Sequence, residues 1–215
     1  MVLGFVEELL ATFFAFVGAT IVLNFTLLKV GDLEVIETAC GRIRTKHVRI
    51  PVSSYITSPE VEAKVVEVKP KDAINRAVPF PLHWAAKMKE HSVDEIPGIG
   101  GEVGTHAQAL RHLREYHMIY DQPHKVTERE YLDIFVIIED SLYLADRRME
   151  EVRTNDIELK IRLVPVTSPR VGSITVIIKG RVSDIIKGRT ERVKMEVIRC
   201  IWLHKLRQKL NKLRR

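Results

Sequence analysis

Amide side chains are scarce in this chain. Asn and Gln together number seven among 215 residues, against 34 Lys plus Arg and 28 Asp plus Glu. Few thermolabile amides beside many opposite charges make a thermophile-like composition, which bears on source and not on activity. Cysteine is nearly missing too. Cys40 and Cys200 lie far apart and form neither a C-x-x-C pair nor a zinc-ligand spacing, so a dithiol redox motif and a cysteine zinc knuckle are excluded. They are read as ordinary reduced thiols.

The punctuation of common catalytic and cofactor sites is also lacking. "GIGGEVGTH" (98–106) places glycines at 98, 100, 101 and 104, one residue off the G-x-G-x-x-G spacing, and no Lys-Ser/Thr pair follows. Asp94, Glu95 and Glu102 would repel phosphate there, so the segment reads as a connector. His106, His112, His117 and His124 cluster, but no two stand three or four apart as chelation on one helix face requires. Asp133, Glu139 and Asp140 fall on a segment read as helix and are expected to be solvated; Ser141 has no evident histidine partner. No catalytic residue, metal ligand or cofactor is expected.

What is present begins with one long apolar run. "LLATFFAFVGATIVLNFTLL" (9–28) holds twenty residues without a charge, about 30 Å as a helix, which is the thickness of a bilayer core. The preceding "MVLGFVEE" is acidic where a secretory signal would be basic. Gly4-Phe5 ahead of glutamates resembles the type IV pilin start in part. The resemblance implies cleavage after Gly4, yet no basic residue precedes that glycine, and Glu7 and Glu8 fall at the third and fourth positions after it, not the fifth. Basic residues (Lys29, Arg42, Arg44, Lys46, Arg49) follow the run and none precedes it, so the N-terminus is expected outside and the remainder on the cytoplasmic or virion-interior side. Gly4, Glu8, Ala11, Ala15, Gly18 and Val22 share a narrow stripe with Ala19 at its edge, a surface suited to close packing against another membrane helix.

The net charge of +6 belongs to the other terminus. "LHKLRQKLNKLRR" (203–215) carries Lys205, Arg207, Lys209, Lys212, Arg214 and Arg215 and no acid. Without those six, 28 basic residues face 28 acidic ones, so the body is neutral by count. Leu203, Leu206, Leu210 and Leu213 give the tail a helical stripe, suited to anionic lipid, to nucleic-acid phosphates or to an acidic protein surface.

Between these ends, "GRIRTKHVRIPV" (41–52) and "EVEAKVVEVKP" (60–70) read as strands. Thr105 with Gln108 forms a capping box opening a helix to 121, and Thr127 with Glu130 a second. Tyr131, Phe135, Ile138, Leu142, Ala145, Met149 and Val152 then alternate by four and three, which predicts a helix over 127–153 and an antiparallel helical hairpin. Period-two patterns in 156–166, 172–186 and 192–203 predict an antiparallel meander.

The expected fold is therefore α+β: a single transmembrane helix (1–30), a domain with helical hairpin and β-meander (31–202), and a basic amphipathic helix (203–215). The expected function is that of a non-catalytic single-pass membrane protein, a structural or assembly subunit of a homo- or hetero-oligomeric membrane complex. The alternative is a membrane-anchored structural protein that binds nucleic acid through its tail.

Overall fold

Alternation of apolar and charged residues contributes to a strand-rich fold, with about half of the described residues in strands. The computed structural model describes residues 11–15, 28–40, 42–54, 58–85, 104–119, 123–166 and 173–199. The first strands are β1 (Lys29–Val30), β2 (Glu34–Cys40), β3 (Ile43–Ser53), β4 (Glu60–Lys69), β5 (Phe80–Pro81) and β6 (Trp84–Ala85). Helix α1 (His106–Ile119) follows, then β7 (His124–Lys125), β8 (Glu130–Ile138), β9 (Ser141–Leu144), β10 (Asp156–Pro165) and β11 (Ile174–Arg181). A short helix α2 (Val182–Ile186) leads into β12 (Lys194–Arg199).

The strands form two antiparallel sheets. In sheet A, β3 pairs with β8; β1 and β2 lie in tandem along the free side of β3, and β6 and β9 in tandem along that of β8. Sheet B runs β12-β11-β10-β4, with β5 and β7 in tandem along β4. Alternate residues of both sheets share one core: Val48, Ile50 and Leu132 from sheet A with Val65, Leu159 and Val176 from sheet B. Each such side chain contributes about 1.5–3 kcal/mol when fully buried. The other face of sheet A is covered by α1, whose Ala109 and Leu113 pack against Val136, Ile138 and Tyr143. The layers are helix, sheet, sheet.

Two bulges keep the apolar phase. Between β10 and β4 the register passes from Lys160↔Glu67 to Ile161↔Val65, so Val66 is an extra residue and Val65 and Val68 both reach the core. Between β3 and β8 it passes from Val48↔Phe135 to Arg49↔Asp133, and Ile134 is extra. Without that step Asp133 would face the inter-sheet core.

The predicted helical hairpin is corrected. Its first half is α1, with the reciprocal capping box: Thr105 N–H donates to Gln108 Oε1 (3.1 Å) and Gln108 N–H to Thr105 Oγ1 (3.3 Å). Its second half is the hairpin β8–β9, turning at Glu139 (φ 54°) and Asp140. Strand β8 is buried on both faces, so almost every residue from Leu132 to Ile138 is apolar. Such a run contains helical spacings by default. The bulge and the two-residue turn then carried the spurious four-three pattern onward.

The membrane reading is corrected as well. Among the described residues no helix is long and apolar enough to cross a membrane. Of the expected anchor (1–30), residues 11–15 are described as helix, Lys29–Val30 are strand β1, and residues 1–10 and 16–27 lie outside the described residues. The last residue of the apolar run, Leu28, is 2 % exposed in the inter-sheet core. The single-pass assignment, its outside-to-inside orientation, and the membrane-complex and membrane-anchored functions resting on it are not retained. Gly4, Glu8, Gly18, Ala19 and Val22 lie outside the described residues; Ala11 and Ala15 are exposed. The tail (203–215), with Lys205, Arg207, Lys209, Lys212, Arg214 and Arg215, also lies outside them.

One buried cation ties the β4–β5 connection to sheet A. Arg76 pairs with Asp146 and lies 3.7 Å from Glu150, with its guanidinium 3.2 Å above the Phe80 ring. Burial lowers its pKa, and the two carboxylates oppose that shift. Asp146 is only 2 % exposed, so removing its partner strands a buried charge. Arg76→Ala is expected to destabilise the fold by about 3–5 kcal/mol in denaturant unfolding. A loss below about 1 kcal/mol would show the pair to be dispensable.

Candidate anion-binding groove

The outer face of sheet B is a lattice of charge. Glu62 and Lys64 pair at 2.6 Å, Glu67 with Lys69 at 2.9 Å and with Lys160 at 3.3 Å. Lysines 69 and 160 hold the Glu67 carboxyl below its ordinary range, and Lys179 with Lys69 does the same for Glu158. In return Glu67 and Glu158 raise Lys69. These are exposed pairs, individually weak and screened by salt.

At one end of the sheet the alternation of sign fails. The cross-strand row Lys194, Lys179, Glu158, Lys69 spans β12, β11, β10 and β4 with one acid among four residues. Glu158 is shared, at 3.2 Å from Lys69 and 2.9 Å from Lys179. Lys179 and Lys194 stand directly opposite each other, an arrangement that like charge disfavours. One alternation further along β11, Arg181 is the register partner of Asp156, yet makes no ion pair among the described residues, and neither does Lys194. Arg192 approaches Asp184 at 3.6 Å, and Arg189 shares that carboxylate at 3.8 Å.

These side chains line an open groove of about 800 Å³. Five cations (Lys69, Lys179, Arg181, Arg192, Lys194) face three acids (Asp156, Glu158, Asp184), a surplus of two positive charges. The concavity depends on two glycines. A Cβ at Gly180 would sit 3.2 Å from a Val193 methyl, so glycine lets the turn before β12 fold against β11 and brings Arg192 and Lys194 alongside Lys179. Gly188 (φ 69°) supplies the left-handed residue just after α2, with its N–H donating to Ile185 O at 2.9 Å.

The predicted histidine cluster is dispersed. His106 donates from Nδ1 to Glu139 (3.1 Å), while its Nε2 accepts the Tyr143 hydroxyl (2.7 Å), a chain that pins the start of α1 to the β8–β9 hairpin. Burial pushes the Tyr143 phenol up, which holds it protonated as that donor. His124 stacks on Trp84 with centroids 5.2 Å apart and reaches Glu130 at 3.4 Å. His112 is on α1, and the His117 side chain lies outside the described ones. Among the described residues no three His, Cys, Asp or Glu are arranged to hold a metal.

A histidine pair that the spacing did not suggest lies on the helix side of sheet A. His47 Nδ1 donates to Asp133 Oδ2 at 3.0 Å, and both are 1 % exposed. Beside them Arg49 lies over the Tyr131 ring at 3.6 Å and 3.7 Å from Glu34. The groove cations were missed too, because their signal is registry. Lys179 and Arg181 are two apart on one strand, but only the pairing with β12 brings Lys194 beside them.

Compared with known proteins, the chain matches no family model, no curated protein and no solved structure.

Because Glu67 and Glu158 titrate lower in the folded chain than in the unfolded one, their contribution is complete above about pH 4.5 and is lost as pH falls through the depressed values. The thermal midpoint is expected to decline on acidification below that pH. Replacing both residues by Gln should flatten the decline; an unchanged acid slope in that double variant would count against the lattice.

Proposed function

We propose that the chain is a non-catalytic β-sandwich module that binds an anionic partner in the groove at the end of sheet B. The observation that carries this reading is the directly opposed pair Lys179 and Lys194, with Arg181 and Arg192 lining the same groove. Opposed like charges cost stability in the free protein, and an anion seated between them removes that cost. The non-catalytic part is supported by how the imidazole–carboxylate pairs are used. His106 is engaged at both ring nitrogens, by Glu139 and by a tyrosine whose pKa is raised, and His47 is buried against Asp133.

The test keeps the basic tail constant. Lys179→Gln, Arg181→Gln and Lys194→Gln, combined in the full chain, are expected to weaken binding of a labelled dextran sulfate about tenfold or more at low salt. The difference between the two proteins should shrink as salt rises. Equal affinity of the triple variant and the parent would assign any retention to other surfaces and remove the groove from the reading.

A further inference from the structure

Resting on that anionic reading, we infer that the occupant of the groove is a compact chain of linked phosphoryl groups, as in a small polyphosphate or a polyphosphate ester. Extent comes first. Lys194, Lys179 and Lys69 occupy a row across four strands, about 14 Å from end to end at the usual strand spacing. Arg181 extends the cationic area by about 7 Å along β11. A single small anion cannot meet cations spread over that area, whereas two or three linked groups can.

The edges of the area exclude a long polyanion laid along the sheet. The next cross-strand row on the same face is Glu196, Ile177, Lys160, Glu67, with two acids to one base. A phosphodiester strand continuing over that row would meet net repulsion, so the favourable region ends with the groove. Its volume of about 800 Å³ lies within the range of small-molecule sites.

The donors favour phosphate over carboxylate. Arg181 and Arg192 offer planar forks and Lys179 and Lys194 point charges, and they come from two strands and the turn between α2 and β12. Cations set on several elements suit linked phosphoryl groups, whose charged oxygens lie on several sides, while a carboxylate presents two oxygens in one plane. Among the described residues no aromatic side chain lines the groove, so they supply no stacking surface for a base. Glu158 acts here as an internal counter-ion, drawing on Lys179 until an incoming phosphate competes for it.

Isothermal titration of the full chain at low salt with tripolyphosphate, and separately with citrate, tests this. Tripolyphosphate is expected to bind at least tenfold tighter than citrate. Its affinity should fall at least tenfold in Arg181→Gln/Lys194→Gln and rise about threefold or more in Glu158→Gln. All three residues have accessible side chains, and thermal midpoints of the variants establish that the fold is kept. Citrate binding as tightly as tripolyphosphate, with both lost in the double variant, would overturn the phosphate inference and leave the anionic reading standing. Tripolyphosphate affinity unchanged in the double variant would overturn both.

Discussion

Strand β8 carries apolar side chains on both faces, so a second sheet on one side and a helix on the other are both needed to keep it dry. From Leu132 to Ile138 every residue is buried, and a backbone so enclosed must spend its hydrogen bonds within the sheet. Strand β3 takes one side of it and the tandem pair β6 and β9 the other. Sheet B and α1 then follow as the two covers. The one acid in this stretch, Asp133, is tolerated because the Ile134 bulge turns it away from the inter-sheet core and towards His47.

The same pairing logic makes the groove unusual within its own face. Elsewhere on the outer side of sheet B acids and bases interleave, as where Glu67 meets Lys160 across a strand and Glu62 meets Lys64 along one. At the end where β10 begins and β11 finishes, Gly180 and Gly188 let the chain fold back so that more cations arrive than acids. A protein whose body holds 28 charges of each sign by count thus has a local surplus placed by topology and not by composition.

Strands that alternate were legible in the sequence. Residues 60–69 and 156–165 each keep a charged face and an apolar face, and period two is visible there without tertiary knowledge. Strand β8 was not, since burial on both faces erases the alternation that identifies a strand. The apolar run 9–28 misled in a related way: hydrophobicity alone does not say whether its last residue, Leu28, faces lipid or a sandwich core. The candidate site was the least legible part. Lys69, Lys179 and Lys194 are scattered over 126 positions of sequence, and only strand register makes them neighbours.

Tandem pairing at the sheet borders bears on how the molecule behaves in crowded solution. Three of the four lateral borders are divided between two strands: β1 with β2, β6 with β9, and β5 with β7. The fourth is the continuous strand β12, which carries Lys194, Glu196 and Arg199. A growing fibril needs a long, flat, uncharged border to copy, and among the described residues none of the four offers one. The architecture that scatters the binding residues through the sequence thus also discourages the chain from templating its own aggregation.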